Sequence, residues 1–198
     1  SDSGRRRRPV QPPTRRESDV PVTSTNLIQG PATVYVAPFG TADPATIATA
    51  PALAWVDVGG TKGGLELNVS SEFATLTVDQ IVDIIESRRT GREVTVKTTM
   101  AEATLENIAQ AIANAAPVAK VLELDDGLTA FKPAYSAILI DGIAPGGFKR
   151  RIIVRKTLPT DAVGIGYKKD DQTVVPVTWK LHWVSTVIKS LKIEDATS

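Results

Sequence analysis

The sequence predicts a mainly β fold with one flanking α-helix, of the β-sandwich or barrel type. The first observation is an alternation of apolar and polar residues, clearest over residues 175–183, where every second residue is apolar. The second is a single stretch, residues 104–117, in which apolar residues recur at helical spacing. The third is the placement of Gly and Pro between the alternating runs, which is typical of turns. Many strands with one helix indicate a helix laid against a sheet.

The remaining strands are predicted from shorter runs rich in β-branched and aromatic residues. Residues 89–91 and 168–171 are predicted turns, and the first should join an extended stretch over residues 73–87 to an antiparallel partner. In chain order the predicted strands are 33–37, 55–59, 65–70, 93–98, 134–140, 151–155, 175–183 and 187–193.

One helix is predicted from its apolar stripe and its end signals. Thr104 is a suitable N-cap, and Pro117 ends the run. The stripe is narrow, so the helix should pack on a sheet and not in a helical bundle. The residues that form the stripe are Leu105, Ile108, Ala109 and Ile112.

Charge divides the chain into a basic N-terminal arm, residues 1–26, and a body, residues 27–198, with a long loop at residues 41–53. The arm has six arginines against three acidic residues, which leaves 17 of the 23 basic and 19 of the 22 acidic residues in the body. With almost no large apolar residues and several prolines, the arm alone should be disordered.

Three interpretations of the arm remain open. It is a solvated tail, an inter-subunit arm that orders on a neighbouring copy, or a nucleic-acid tether; aromatic residues between the arginines, which would favour base stacking, are absent. The arginines that would make inter-subunit contacts are Arg5, Arg6, Arg7, Arg8, Arg15 and Arg16.

Composition excludes several classes of site. The chain has no cysteine, so neither disulfides nor thiolate metal sites are expected. No apolar run reaches the roughly 18 residues of a membrane helix, and no apolar run follows Arg5 to Arg8 to make a signal peptide. The glycine-rich stretches 59–64 and 164–166 lack phosphate-loop and dinucleotide signatures and should be turns whose glycines allow positive φ.

The single histidine, His182, falls on the polar side of its predicted strand. A surface or interface role is favoured, because the Gly-x-Ser-x-Gly elbow of a Ser-His-Asp hydrolase is absent. Paired histidines and calcium-loop spacing are absent as well. No catalytic, cofactor-binding or metal-binding residue, and no cofactor, is predicted, and the chain is not expected to be an enzyme.

Four segments follow one another within residues 55–113: VGGTKGG at 58–64, VDQ at 78–80, TGREVTV at 90–96 and AEATLENIA at 101–109. In this order they resemble the tail tube (major tail) proteins of long-tailed, siphovirus-like bacteriophages. Residues 149–156 and 173–181 resemble the closing strands of that family, whereas the arginine-rich arm departs from its pattern.

The resemblance implies a structural subunit made in the host cytoplasm and found in the virion tail. It would form hexameric rings that stack into a hollow tube, through which genomic double-stranded DNA passes on ejection into the host. The implied partners are further copies of the chain, the tape-measure protein, the tail terminator and tail-tip proteins. Type VI secretion tube proteins share this architecture and are one alternative; a monomeric or trimeric β-sandwich for adhesion or capsid decoration is another.

A DNA conduit should have a polar, acidic-leaning lumen, because each Lys or Arg contact with phosphate adds affinity that would slow passage. Ordinary solvent-facing positions explain the same acidic and polar residues equally well. The candidates for the lumen surface are Glu66, Asn68, Ser70, Asp79, Asp83 and Glu86.

Overall fold

A computed structural model describes residues 23–124 and 131–197. The six arginines of the predicted inter-subunit arm lie outside these residues. Only the last part of the arm is described, and it ends in a 3-10 turn at Ser24–Asn26.

The mainly β fold with one short helix is confirmed, and every strand pairing is antiparallel. The helix, α1, spans Leu105–Ala111, and a second 3-10 turn spans Pro145–Gly147. The strands are β1 Thr33–Pro38, β2 Val56–Asp57, β3 Thr61–Val78, β4 Ile81–Met100, β5 Ser136–Ile143, β6 Lys149–Pro159, β7 Val175–Leu181 and β8 Leu191–Asp195.

The strands form one sheet in the order β2-β1-β5-β6-β7-β4-β3, with β8 beside β6. The sheet branches at β6: Ile152 lies opposite Ile140 of β5 and Ile193 of β8, whereas Thr157 lies opposite Leu181 of β7. Within the described residues β2 and β3 are the edges and do not pair with each other, so the hydrogen-bonded ring of a closed barrel is not formed.

The central strands are buried on both faces. In β5, Ile138 belongs to one apolar cluster, and its neighbour Leu139 belongs to another. Helix α1 contributes Ala111 to the first cluster, and Trp55 contributes to the second. Because both faces are covered, residues 137–140 of β5 are a continuous apolar run and do not alternate.

The predicted helix and its N-cap are confirmed, since the Thr104 side chain accepts a hydrogen bond from the Asn107 amide at 3.2 Å. The predicted end at Pro117 is wrong, because the helix ends at Ala111 and Ala113 has a positive φ. The buried face differs from the predicted stripe, because Asn107 is buried and Leu105 is only half-buried. The Asn107 amide group donates to the Val58 carbonyl at 2.9 Å and to the Glu102 carbonyl at 2.8 Å. A polar side chain therefore fixes the start of the helix against the end of β2.

Two strand predictions are wrong in their bounds, and one turn prediction is wrong in its place. The predicted strand 55–59 is reduced to β2, and the predicted strand 187–193 lies later, at β8. The turn predicted at residues 89–91 is absent. The chain reverses instead at Asp79 and Gln80, and Gly91 pairs with Glu72 inside the ladder. Thr90 is the extra residue of a β-bulge there, and a glycine inside a strand, such as Gly91, often marks a bulge.

Candidate assembly surface

The longest feature of the fold is the hairpin of β3 and β4. Strand β4 pairs with β7 only from Thr95 to Met100, so beyond that point β3 and β4 pair only with each other. Eleven residues separate Arg92, near the hairpin root, from Ile81 at the turn. At about 3.3 Å per residue, the outer hairpin is roughly 35 Å long.

The two faces of the inner hairpin differ in polarity. Leu65 and Leu67 pack against the main core, with Leu67 opposite the buried Val96. On the other face Glu66 lies opposite Lys97, and Asn68 lies opposite Thr95. Successive strand residues point to opposite faces, so this polar face faces away from the core.

Four of the six predicted lumen residues share that polar face. Glu66, Asn68 and Ser70 lie on it. Glu86 lies on the same face, because it is opposite Leu76, which is an even number of residues from Glu66 along β3. Asp79 is in the turn, and Asp83 lies just beyond it, where the register shifts. All six are exposed.

This face carries both signs of charge. Lys180 forms an ion pair with Glu93 at 2.7 Å, Arg88 approaches Glu86 at 3.7 Å, and Lys97 lies opposite Glu66. The acidic residues are therefore interspersed with basic ones, and the face is mixed in charge.

The outer end of the hairpin, residues 74–87, is named here the hairpin tip. Its six large apolar side chains are between 43% and 103% exposed, so the described part of the chain buries none of them. Its only charged residues are Asp79, Asp83 and Glu86. The apolar side chains are Leu76, Val78, Ile81, Val82, Ile84 and Ile85.

A second apolar surface lies on the body, where the loop after β7 meets the end of β1. A cavity of about 440 Å³ is lined by Phe39, Arg155 and Ile188, among others. It adjoins a cavity of about 420 Å³, which shares Arg155 and Ile188 and adds Val187. The body patch is defined as Phe39, Lys156, Val184, Val187, Ile188 and Lys189.

The glycine-rich stretch 59–64 holds the hairpin root in place. Gly59, Gly63 and Gly64 have the predicted positive φ, but residues 61–64 are the irregular start of β3 and not a turn. The Gly60 amide donates to Glu102 Oε1 at 3.0 Å, and a Cβ at Gly59 would clash with that oxygen. These glycines therefore allow a carboxylate to approach the backbone.

The other glycine pair, Gly164 and Gly166, lies in the loop between β6 and β7. Neither has a positive φ, so the prediction made for them is wrong. The backbone at these positions therefore does not adopt the left-handed conformation that favours glycine.

His182 lies half-buried at the end of β7, with its ring 5.3 Å from the ring of Tyr135. Burial, and then the charges of Lys156 and Lys180, lower its pKa below 6.5. Its Nε2 atom is buried, and none of the described residues forms a hydrogen bond with it. The ring therefore lacks the carboxylate and hydroxyl neighbours of a hydrolytic triad within the described structure.

The described residues group no three His, Asp or Glu side chains closely enough to hold a metal ion. Helices long and apolar enough to cross a bilayer are absent from the same residues. The surfaces with the clearest chemical character are therefore the hairpin tip and the body patch. Sequence reasoning assigned Asp79, Asp83 and Glu86 of the tip to a candidate lumen surface and missed the apolar surface of the tip and the whole body patch. The signal for the first was the run IVDII at residues 81–85, which is too apolar for an exposed strand.

Comparison with solved structures finds several similar chains. The chain is similar in fold to a chain of the baseplate of the anti-feeding prophage, from a cryo-EM structure with 6-fold symmetry imposed. The TM-score is 0.44 at 9% identity, and the match covers 87% of this chain and 97% of that one. No protein-family model and no curated protein matches the sequence.

Proposed function

We propose that the chain is the structural subunit of a bacteriophage tail tube, assembled as stacked hexameric rings around a conduit for DNA ejection. The observation that carries the proposal is the hairpin tip, whose six large apolar side chains are uncovered in the single chain. The order of the segments over residues 55–113, which resembles that of tail tube proteins, supports the same assignment.

The physics of an isolated hairpin favours assembly. A two-stranded hairpin is at best marginally stable in water, and a long open edge is a template for pairing with another chain. Strand β3 is the edge of the sheet over all its 18 residues. Neighbouring copies in a ring would cover the apolar tip and pair the edge.

The polar face of the hairpin fits a DNA conduit better than a DNA-binding surface. Its lysines and arginines face carboxylates, as Lys180 faces Glu93, so few cations are free to bind phosphate. In the proposed tube Glu66, Asn68 and Ser70 line the lumen. A reconstruction that placed these residues on the outer wall would reject this orientation.

Electron microscopy of concentrated full-length protein tests the proposal. Rings or tubes with sixfold symmetry are expected. The variant Val82→Asp/Ile84→Asp should remain monomeric with an unchanged melting temperature, because both positions are exposed in the monomer and covered only on assembly.

The matched control is Leu53→Asp/Tyr167→Asp, which changes two equally exposed apolar residues outside the hairpin and should still assemble. A wild-type protein that stays monomeric at high concentration would overturn the proposal. A discrete trimer that binds a capsid surface would favour the decoration module instead.

The N-terminal arm is proposed to order on a neighbouring copy. Deleting residues 1–26 should shorten the tubes and leave the body folded, since the predicted arm contacts lie between subunits. Tube length by electron microscopy and circular dichroism of the monomer measure the two effects. Replacing the six arginines with glutamine separates charge from length, and tubes of normal length in the deletion variant would show that the arm takes no part.

A further inference from the structure

We infer that the hairpin tip of one copy docks on the body patch of a second copy of this chain. The inference rests on the proposed function, which requires that copies of the chain associate. It identifies the two surfaces through which they do so.

The tip supplies apolar side chains framed by negative charge. Val82 is fully exposed and Ile84 is 59% exposed, while Asp79, Asp83 and Glu86 are its only charges. Burial of this surface is favourable only against a partner that is also apolar and does not repel the carboxylates.

The body patch has the complementary character. Phe39, Val187 and Ile188 are 44%, 86% and 50% exposed around a concave surface. Arg155 beneath them is held by Asp43 at 2.6 Å. The Lys156 ammonium lies over the rings of Phe39 and Tyr135, at 5.2 Å and 4.4 Å from their centroids.

The patch keeps free positive charge. Among the described ion pairs, Arg155 is matched by Asp43 and Lys192 by Glu194, whereas Lys156 and Lys189 have no carboxylate partner. These two cations lie next to exposed apolar side chains, and so do Asp79 and Asp83, which have no basic partner among the described ion pairs, whereas Glu86 is approached by Arg88. The opposite signs favour this pairing over tip against tip or patch against patch.

The contact must form between copies. The loop that carries the patch lies beside the hairpin root, where Trp183 and Arg92 line one shallow cavity. The tip is roughly 35 Å from that root by strand rise. A chain therefore cannot place its tip on its own patch without refolding the hairpin.

The contact is also head-to-tail, because each copy offers one tip and one patch. Such a heterologous contact closes a ring or extends into a filament, according to the rotation between neighbours. The alternative occupant of the tip is the arginine-rich arm, residues 1–26, of a neighbouring copy.

Engineered cysteines test the docking in the full chain, which has no native cysteine. Under mild oxidation, Val82→Cys/Val187→Cys should give a ladder of covalent oligomers, with most of the chain shifted out of the monomer band. The control Val82→Cys/Tyr167→Cys pairs the same tip position with an exposed residue on the loop between β6 and β7, and should remain largely monomeric. Equal ladders from both variants, or none from the first, would overturn the inference.

Charge reversal provides an independent measurement. Asp79→Lys/Asp83→Lys and Lys156→Glu/Lys189→Glu should each lose assembly when alone, and an equimolar mixture should restore it, because alternating copies then present opposite charges. Lys168→Glu/Lys169→Glu, two exposed lysines outside the patch, should assemble normally. Circular dichroism of each variant verifies that the monomer is folded.

The outcomes separate the two proposals. Wild-type tubes together with normal assembly of the variant Lys156→Glu/Lys189→Glu would overturn the docking and leave the tube proposal standing. If that variant assembles while deletion of residues 1–26 abolishes assembly, the occupant is the arm and the inference is overturned. A cysteine ladder without tubes would support the docking and reject the tube.

Discussion

Replacing Arg151 with methionine should lower the free energy of unfolding by about 3–5 kcal/mol, the usual cost of breaking a buried ion pair from one side. The Arg151 side chain is 1% exposed and donates to both oxygens of Asp141, at 2.7 and 2.8 Å. Its remaining nitrogen donates to the carbonyls of Thr46 and Thr49, at 3.1 and 2.9 Å. The variant therefore leaves a carboxylate and two carbonyls with fewer partners. Urea unfolding followed by circular dichroism measures the loss.

Arg150 is the matched control, because it makes a similar bidentate ion pair with Asp195, at 2.6 and 2.7 Å, but is 33% exposed. Solvent screens that pair, so Arg150→Met should cost no more than about 1 kcal/mol. The double variant Arg151→Met/Asp141→Leu should recover much of the lost stability, since no buried charge then remains unpaired. Equal losses from Arg150→Met and Arg151→Met would show that burial does not set the energy of the pair.

The same pair gives a pH dependence whose sign follows from Asp141. Burial alone would raise the pKa of this carboxyl, but hydrogen bonds from Arg151 and Lys149 outweigh it and lower the pKa below 3.8. The stabilisation from its charged form is therefore fully present above that value and is lost as pH falls through the lowered pKa. The difference in unfolding free energy between wild type and Arg151→Met should shrink below about pH 4, the ordinary pKa of aspartate.

Local patterns predicted the elements better than their connections. Alternation identified β7, and helical spacing with Thr104 identified α1, because each signal lies within a few neighbouring residues. The turn at Asp79 and Gln80 was missed, since Gly91 was the stronger turn signal. Whether that glycine makes a turn or a bulge depends on the register with Glu72, which is set by contacts distant in the sequence.

The sequence shows the apolar residues of the hairpin tip, but it does not show that they are exposed. An apolar run such as residues 81–85 looks like a buried strand in sequence, and only the length of the hairpin beyond the sheet shows that its own chain leaves it uncovered. The body patch joins Phe39 to Ile188, which are remote in sequence and meet only through the order of the strands. Arg151 was likewise not singled out, because burial of an arginine depends on a loop folding over it.

Trp179 is the largest fully buried side chain, so its truncation should have an effect as large as that of Arg151→Met. It lies on β7 between Val96 of β4 and Pro159 of β6. Trp179→Ala should cost about 3–5 kcal/mol, because apolar contacts are lost and a cavity remains. Trp183→Ala, at a tryptophan that is 70% exposed, should stay within about 0.5 kcal/mol of wild type.

Trp179→Phe separates packing from hydrogen bonding at the same position. The indole Nε1 is buried, and none of the described residues accepts its hydrogen, so phenylalanine removes an unpaired donor that itself costs about 1–3 kcal/mol. Phenylalanine leaves a smaller cavity than alanine, and removal of the unpaired donor offsets part of the free energy that this cavity costs. Trp179→Phe should therefore lower the free energy of unfolding by no more than about 1.5 kcal/mol. Urea unfolding of the three variants measures these losses, provided that the m-values are equal. The loss of unfolding free energy should be largest in Trp179→Ala, smaller in Trp179→Phe and smallest in the exposed control Trp183→Ala. A phenylalanine variant as unstable as the alanine variant would mean that the indole N–H is bonded in solution, and that this part of the core is held by a polar contact as well as by packing.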